Sequence, residues 1–239
     1  MVQVSAPPEL DTQPSPDDLA PRAPWHRTVI IAGLAVTLLL VGAIAGLLFT
    51  LPGQTPAPPT ADSVDVGFAQ DMSVHHQQAV EMASWERDHT SDPKLKLLAS
   101  DIEATQEGQV GQMQGWLELW GAPVLPVGGY MAWMAAAPAH DGMAAMGGTG
   151  GPVATMPGMA TDDELRAFRA TTGTQLDVTF LQLMIRHHVG GSSMLTYAAQ
   201  RAEVAQVRNL ASQMLSSQAS EVEYMKQLLA ARGGTLLPS

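Results

Sequence analysis

Two pairs of adjacent histidines are the residues of this 239-residue chain whose types and spacing best suit chemistry. A methionine lies within four residues before each pair and another within seven residues after it. The full set is His75, His76, His187, His188, Met72, Met82, Met184 and Met194. Imidazole binds copper, zinc, nickel and iron, and thioether sulfur adds a preference for copper(I). We therefore expect a metal site, with copper as the first candidate and other divalent transition metals as alternatives.

The composition narrows the classes of protein and ligand. The chain has no cysteine, which excludes disulfides, zinc ribbons, iron–sulfur clusters and thiol nucleophiles, and leaves His and Met as its only soft or borderline ligands. Its 23 acidic and 12 basic residues give a formal net charge of −11. Because binding to phosphate backbones needs clustered Lys and Arg, we expect no nucleic-acid partner. The expected partner is a metal ion, and no protein partner is indicated.

Several polar residues accompany the histidines at helical spacing. If a turn is centred near residue 91, an antiparallel helix pair places His76 opposite Gln106, and the same arithmetic places His188 opposite Gln218. We expect both glutamines to orient the histidines by hydrogen bonds. Asp65 and Asp177 are expected to be either helix N-terminal caps or outer ligands.

Three functions remain open on these residues. The histidines either bind metal or hydrogen-bond to the glutamines in a metal-free helical interaction module, and a redox enzyme is a third reading. The sequence has one Glu-x-x-His, at Glu86 and His89, whereas a di-iron carboxylate bundle needs two, and it lacks His-Glu-x-x-His, Gly-x-x-x-x-Gly-Lys and Gly-x-Ser-x-Gly. We therefore expect binding rather than turnover.

The segments that carry these residues match each other without gaps. Residues 65–118 align with 177–230 at a constant offset of 112, with 15 identities in 54 positions. Apolar residues recur at helical spacing in each copy, which predicts a helical hairpin in each. Two hairpins predict an all-α four-helix bundle over 62–232, with its second hairpin at about 174–201 and 203–232.

Two further segments complete the predicted bundle. A capping box at Thr161 and Glu164 predicts a short helix over about 162–172. The connection 121–160 is rich in Gly and Met, and we interpret it as a mobile loop. Within it, His140, Met143 and Met146 are an alternative place for metal to bind.

The N-terminal region has the composition of a tail and a membrane anchor. Residues 1–27 are Pro-rich and expected to be disordered, whereas 28–50 carry no charge and make roughly 34 Å of helix, enough to cross a bilayer. A cleaved signal peptide is the alternative. Arg22 and Arg27 precede the span, which predicts a single-pass membrane protein with a cytoplasmic N-terminus and an extracytoplasmic bundle. Residues 51–61 form a Pro-rich tether.

The two copies resemble a known family. DVGFAQDMSVHHQQAVEMA (65–83), DVTFLQLMIRHHVGGSSM (177–194) and MPGM (156–159) are similar to the signatures of the domain-of-unknown-function 305 family. The resemblance implies a ferritin-like four-helix bundle in secreted or membrane-anchored bacterial proteins, some of them linked to copper binding or resistance. It also implies that the two histidine pairs and their flanking methionines are motif positions.

One feature of the second copy departs from the first. Gly190, Gly191, Ser192 and Ser193 favour a helix less than the residues that precede Met82. Either the helix is tightly packed there or the site is slightly opened. The function predicted from the residues and the resemblance is an extracytoplasmic metal-binding protein that buffers, delivers or confers resistance to copper.

Overall fold

Helices make up almost all of the regular structure. A computed structural model describes residues 25–50, 57–134 and 151–238. Its helices are α1 (Trp25–Thr50), α2 (Val64–His89), α3 (Pro93–Trp120), α4 (Asp162–Arg169), α5 (Thr174–Arg201) and α6 (Ala205–Ala230). Within these residues the β structure is limited to one isolated bridge, between Tyr130 and Val153. The predicted all-α class is confirmed.

Helix α1 belongs to a different compact unit from the remaining helices, with the division at Pro56. Residues Trp25–Leu47 have a mean hydropathy of 2.6 and are long and apolar enough to cross a membrane, a property that signal sequences share. The predicted tail up to residue 24 and the first part of the tether, 51–56, lie outside the described residues.

Helices α2 and α3 form one hairpin, α5 and α6 form the second, and the two hairpins meet through α2 and α5. The turn between α2 and α3 contains residues that favour the start of a helix. The carboxylate of Asp92 accepts hydrogen bonds from the backbone N–H groups of Lys94 and Leu95, and Pro93 occupies the first turn of α3. Helix α5 has the predicted bounds, whereas α4 ends three residues earlier than predicted.

The bundle core consists of two apolar clusters with the histidines between them. One cluster contains Met72 from α2 and Met194 from α5, together with the end of α3 and the start of α6. The other contains Met82 and Met184, with the start of α3 and the end of α6. A buried polar layer therefore divides the core across the middle of the bundle.

The described ends of the connection 121–160 are packed, which corrects the interpretation of a mobile loop there. Trp133, Met134 and Met156 are buried in the core. The buried carboxylate of Asp71 accepts hydrogen bonds from the Met131 backbone N–H at 2.6 Å and from the Trp133 indole N–H at 2.8 Å. These long-range bonds hold the loop against α2. His140, Met143 and Met146 lie outside the described residues.

Asp65 and Asp177 link the two hairpins rather than capping their own helices. Asp65 accepts hydrogen bonds from the backbone N–H groups of Glu203 and Val204, at 3.0 and 2.8 Å, in the turn of the second hairpin. Asp177 accepts a bond of 2.8 Å from the hydroxyl of Thr90, in the turn of the first hairpin. The cap of α2 is instead the Ser63 hydroxyl. The predicted role as a cap of the residue's own helix is therefore not the one observed, and the role of outer ligand stays a prediction.

Candidate metal centre

A pair of stacked imidazoles lies where the two hairpins meet. His75 on α2 and His187 on α5 have ring centroids 3.8 Å apart and ring planes inclined by 35°. Both residues are 1% exposed. Residues that are 112 positions apart in the sequence are thus brought into direct contact by the packing of α2 against α5.

The second histidine of each pair points towards its own hairpin. His76 Nε2 lies 2.9 Å from Gln109 Oε1, and His188 Nε2 lies 2.8 Å from Glu221 Oε2. The ring centroids of adjacent histidines are 6.4 Å apart in the first pair and 6.3 Å in the second. The four rings form a layer with the stacked pair at its centre.

The partners of these outer histidines lie one turn beyond the residues predicted. The sequence arithmetic placed Gln106 opposite His76, but the hydrogen bond is to Gln109. Side chains lean towards the N-terminus of their own helix. In an antiparallel pair, His76 therefore leans away from the turn while Gln109 leans back towards it, so the two meet. The same shift replaces Gln218 by Glu221.

Gln106 and Gln218 are nevertheless part of the buried layer. They are 3% and 7% exposed. The side-chain Oε1 atom of each is buried without a hydrogen-bond partner. A buried acceptor without a partner lowers the free energy of unfolding by about 1–3 kcal/mol. A metal ion or a hydrogen-bond donor that binds these two amide oxygens would recover that cost.

His75, His76 and His187 are neutral at physiological pH. Burial, reinforced by the charges of neighbouring histidines, lowers the pKa of His76 to about 3. Burial is also the main cause that lowers the pKa of His75 to about 4 and that of His187 well below its ordinary value. Because a neutral imidazole keeps one nitrogen lone pair, these rings can bind a metal without first losing a proton.

Each of the four rings leaves one nitrogen without a partner. The buried atoms that lack a hydrogen bond include Nδ1 of His75, His76 and His188, and Nε2 of His187. Glu221 fixes the tautomer of its histidine, because a carboxylate only accepts and so Nε2 of His188 must carry the proton. In His76 the partnered Nε2 likewise faces an acceptor, the Gln109 oxygen, so the lone pair of that neutral ring falls on the unpartnered Nδ1, which fits a metal-binding role.

The MPGM segment, residues 156–159, covers His75 from one side. The Pro157 carbonyl lies 3.3 Å from His75 Nε2 and accepts a hydrogen bond from its N–H group. The Gln78 amide holds the segment in both directions, donating to the Ala160 carbonyl at 2.9 Å and accepting from the Ala160 backbone N–H at 2.7 Å. The hydrogen bond to the Pro157 carbonyl fixes the tautomer of His75, so that Nδ1 holds the lone pair.

Gly190 and Gly191 of the second copy lie where the packing leaves no room for a larger side chain. A Cβ atom on Gly190 would lie 2.4 Å from the Pro157 carbonyl oxygen, and one on Gly191 would lie 3.0 Å from His75 Cε1. Gly190 thus admits the MPGM segment and Gly191 admits the His75 ring. Of the two explanations that the sequence allowed for this departure, tight packing is the one found at these two positions.

Thioether sulfur is available on both sides of the layer. Met72, Met82, Met184 and Met194 are all at most 1% exposed and belong to the two clusters that enclose the histidines. Over residues 25–50, 57–134 and 151–238, no group of three or more His, Asp or Glu side chains is placed to hold one ion. The ligand atoms in and around the layer are therefore imidazole nitrogen and thioether sulfur, a combination that suits copper(I).

Comparison with known proteins places the chain among related sequences and structures. A family model described as Domain of unknown function (DUF305) matches residues 65–229. The crystal structure of a Streptomyces coelicolor DUF305 protein, described as secreted, is 43% identical with a TM-score of 0.66, covering 75% of this chain and 100% of that one. CopM in its Cu(II)-bound form is 27% identical with a TM-score of 0.52, covering 70% and 96%. CopM has also been solved in a Cu(I)-bound form.

A curated relative also matches. It is the uncharacterized protein L153 of Acanthamoeba polyphaga mimivirus, which is 33% identical over 92 residues. The match covers 38% of this chain and 52% of that relative, so it spans about half of the relative's length.

Proposed function

Because the chain belongs to the DUF305 family and shares its fold with the copper-bound protein CopM, we propose that it is a membrane-anchored, extracytoplasmic copper-binding protein. It buffers copper or delivers it, and it does not turn over a substrate. The observation that carries the proposal is the buried layer in which four imidazoles, each with one unpartnered nitrogen, lie between methionine-containing clusters.

The ligands of this proposal are the residues of the layer and its surroundings. His75, His76, His187 and His188 supply imidazole nitrogen, and Met72, Met184, Met82 and Met194 supply thioether sulfur. Gln109 and Glu221 orient the outer histidines, and Gln106 and Gln218 add polar oxygen beside them. Burial of the whole layer supports storage or transfer of an ion, because it leaves little room for an organic substrate.

The proposed location rests on α1 and its flanks. The apolar helix is long enough to span a bilayer, and Arg22 before it and Arg27 in its first turn favour a cytoplasmic N-terminus. The secreted Streptomyces relative supports an extracytoplasmic position for the bundle. A thioether and imidazole site without thiols also suits an oxidising compartment.

Copper retention by the full chain tests the function. The protein is purified in mild detergent, loaded with Cu(I) or Cu(II), dialysed and analysed for bound metal. We expect the wild type to retain Cu(I), and the double variant His75→Ala and His187→Ala to fall below about a fifth of that amount. Binding to the native state also raises the free energy of unfolding, by about 2.7 kcal/mol at a hundredfold excess over Kd.

The control uses a histidine outside the layer. His89 is exposed and stacks on Trp85 at a ring distance of 3.9 Å, so His89→Ala should retain wild-type copper. Helix content by circular dichroism checks that both variants fold. If the wild type binds no copper and gains no thermal stability from it, the proposal is wrong, and the metal-free interaction module takes its place.

A further inference from the structure

The second hairpin has a surface cleft that reaches the histidine layer. This cleft lies between α5 and α6 and has a volume of about 210 Å³. Its lining includes His188, Ser192, Gln218 and Glu223, with apolar side chains over much of the remaining wall. A cleft of this size has room for one ion and a few water molecules.

Two unsatisfied polar residues line this cleft. His188 and Gln218 are 2% and 7% exposed, and the Nδ1 atom of His188 and the Oε1 atom of Gln218 have no hydrogen-bond partner. Both atoms carry lone pairs, so the occupant that satisfies them is a cation or a hydrogen-bond donor. Glu221 holds the proton of His188 on Nε2, at 2.8 Å, and so keeps Nδ1 as a ligand atom.

The position of Ser192 keeps the cleft open. Its hydroxyl donates to the Val189 carbonyl at 2.7 Å, so the side chain is folded back on its own helix. The residue at the matching position of the first hairpin is Val80, which is larger and branched. The small residues of the second copy therefore have two effects: the glycines admit the packing around His75, and Ser192 leaves the cleft free.

We propose that the cleft between α5 and α6 is the port through which the copper cation enters and leaves the histidine layer. The ion first binds Nδ1 of His188 and Oε1 of Gln218 and then moves inward to the stacked pair. The inward step is short, because the ring centroids of His187 and His188 are 6.3 Å apart. This inference rests on the proposed function, since it assumes that the layer receives copper.

Rates of copper transfer test the port separately from copper binding. The full chain in detergent is loaded with Cu(I), and transfer to the chromophoric chelator bathocuproine disulfonate is followed by stopped-flow absorbance. Ser192→Val fills the cleft with the side chain found at the matching position. We expect it to slow uptake and release by about tenfold or more while leaving the final copper content unchanged. Ser193→Val makes the same change at the next residue of α5, outside the lining of the cleft, and should not slow transfer.

A second test removes one of the first ligand atoms, the Gln218 side-chain oxygen, without filling the cleft. Gln218→Leu should slow transfer, whereas Gln213→Leu, at an exposed glutamine of α6 outside the lining of the cleft, should leave the rates near those of the wild type. Equal rates for Ser192→Val, Gln218→Leu and wild type would overturn the port while copper binding stands. A wild type that binds no copper would overturn the port and the proposed function together.

Discussion

At the scale of single residues, Glu86 is a buried acid whose carboxyl group stays protonated in the folded protein. The residue is 0% exposed and lies near Asp177, Asp92 and Arg232 at one end of the bundle. Burial, and then the negative charge of Asp177, raises the pKa of Glu86 to about 8. Neither side-chain oxygen of Glu86 has a hydrogen-bond partner, so the carboxyl is buried without the contacts that would favour its charged form. The matching residue of the second hairpin is Ala198.

The contribution of Glu86 to stability should therefore decline as the pH rises towards 8. Below pH 4.5 the carboxyl is protonated in both states, whereas between 4.5 and about 8 only the folded protein keeps the proton. Glu86 alone then lowers the free energy of unfolding by about 1.4 kcal/mol for each pH unit in this window. Below about pH 6.5 the lowered pKa values of His75, His76 and His187 act in the opposite direction, so the decline of the whole protein is expected between about pH 6.5 and 8. Glu86→Gln keeps the size and polarity of the side chain without an ionisable group. We expect the variant to be more stable than wild type at pH 8.5 and close to it at pH 5, as measured by urea unfolding.

An exposed glutamate provides the comparison. Glu118→Gln, near the end of α3, makes the same chemical change on the surface. It should leave the pH dependence of unfolding as it is in the wild type. If Glu86→Gln and Glu118→Gln have the same profile, the Glu86 carboxyl is already ionised in the folded protein at neutral pH.

At the scale of elements, the MPGM segment and helix α5 are fitted to each other. Gly190 and Gly158 bring the two backbones so close that a Cβ atom on either would lie 2.5 Å or less from a backbone atom of the other segment. Gly158 also has a φ of 81°, which favours glycine. The cost of glycine within a helix is offset by the packing that it permits around His75.

Two glycine-to-alanine changes should have opposite effects. Gly190→Ala forces the MPGM segment to shift, and we expect it to lower the free energy of unfolding by about 1–3 kcal/mol, although alanine favours the helix. Gly108→Ala, in α3, meets no atom within 4 Å and should raise it by about 0.5–1 kcal/mol. Denaturant unfolding of both variants measures the difference. If both variants were stabilised equally, the MPGM segment would be able to move away from the new methyl group without a cost in free energy, and the prediction would be wrong.

At the scale of the whole molecule, α1 and the bundle are built for different surroundings. Helix α1 exposes a nearly continuous apolar surface, whereas the bundle buries its apolar residues in two clusters on either side of a polar layer. A helix of this kind is stable where lipid covers its side chains, since all its backbone groups are paired internally.

Membrane fractionation tests the anchor. We expect the full chain to stay with the membranes after an alkaline carbonate wash, and a variant without residues 1–56 to be released. Leu39→Arg places a charge in the middle of the span at a cost of about 2.5–3.5 kcal/mol and should weaken retention. Mass spectrometry of the mature N-terminus decides between an anchor and a cleaved leader: a chain that starts after residue 50 would contradict the anchor.

The sequence by itself determined the helices, the hairpin turn and the choice of candidate ligands. Helix periodicity and the caps around Asp92 and Pro93 are local properties, and they predicted α2, α3 and α5 closely. The repeated positions of His75 and His187 were also visible without a structure, because the two copies align at a constant offset. The all-α class followed from the same periodicity.

Only the tertiary structure decided which side chains meet. The stacking of His75 on His187, the use of Gln109 and Glu221 rather than Gln106 and Gln218, and the burial of Met134 and Met156 all depend on contacts between distant segments. Those contacts follow from the lean of side chains along their helices and from close approaches at glycine. A spacing in the sequence fixes the face of a helix, but the neighbour of that face is set by how the helices pack.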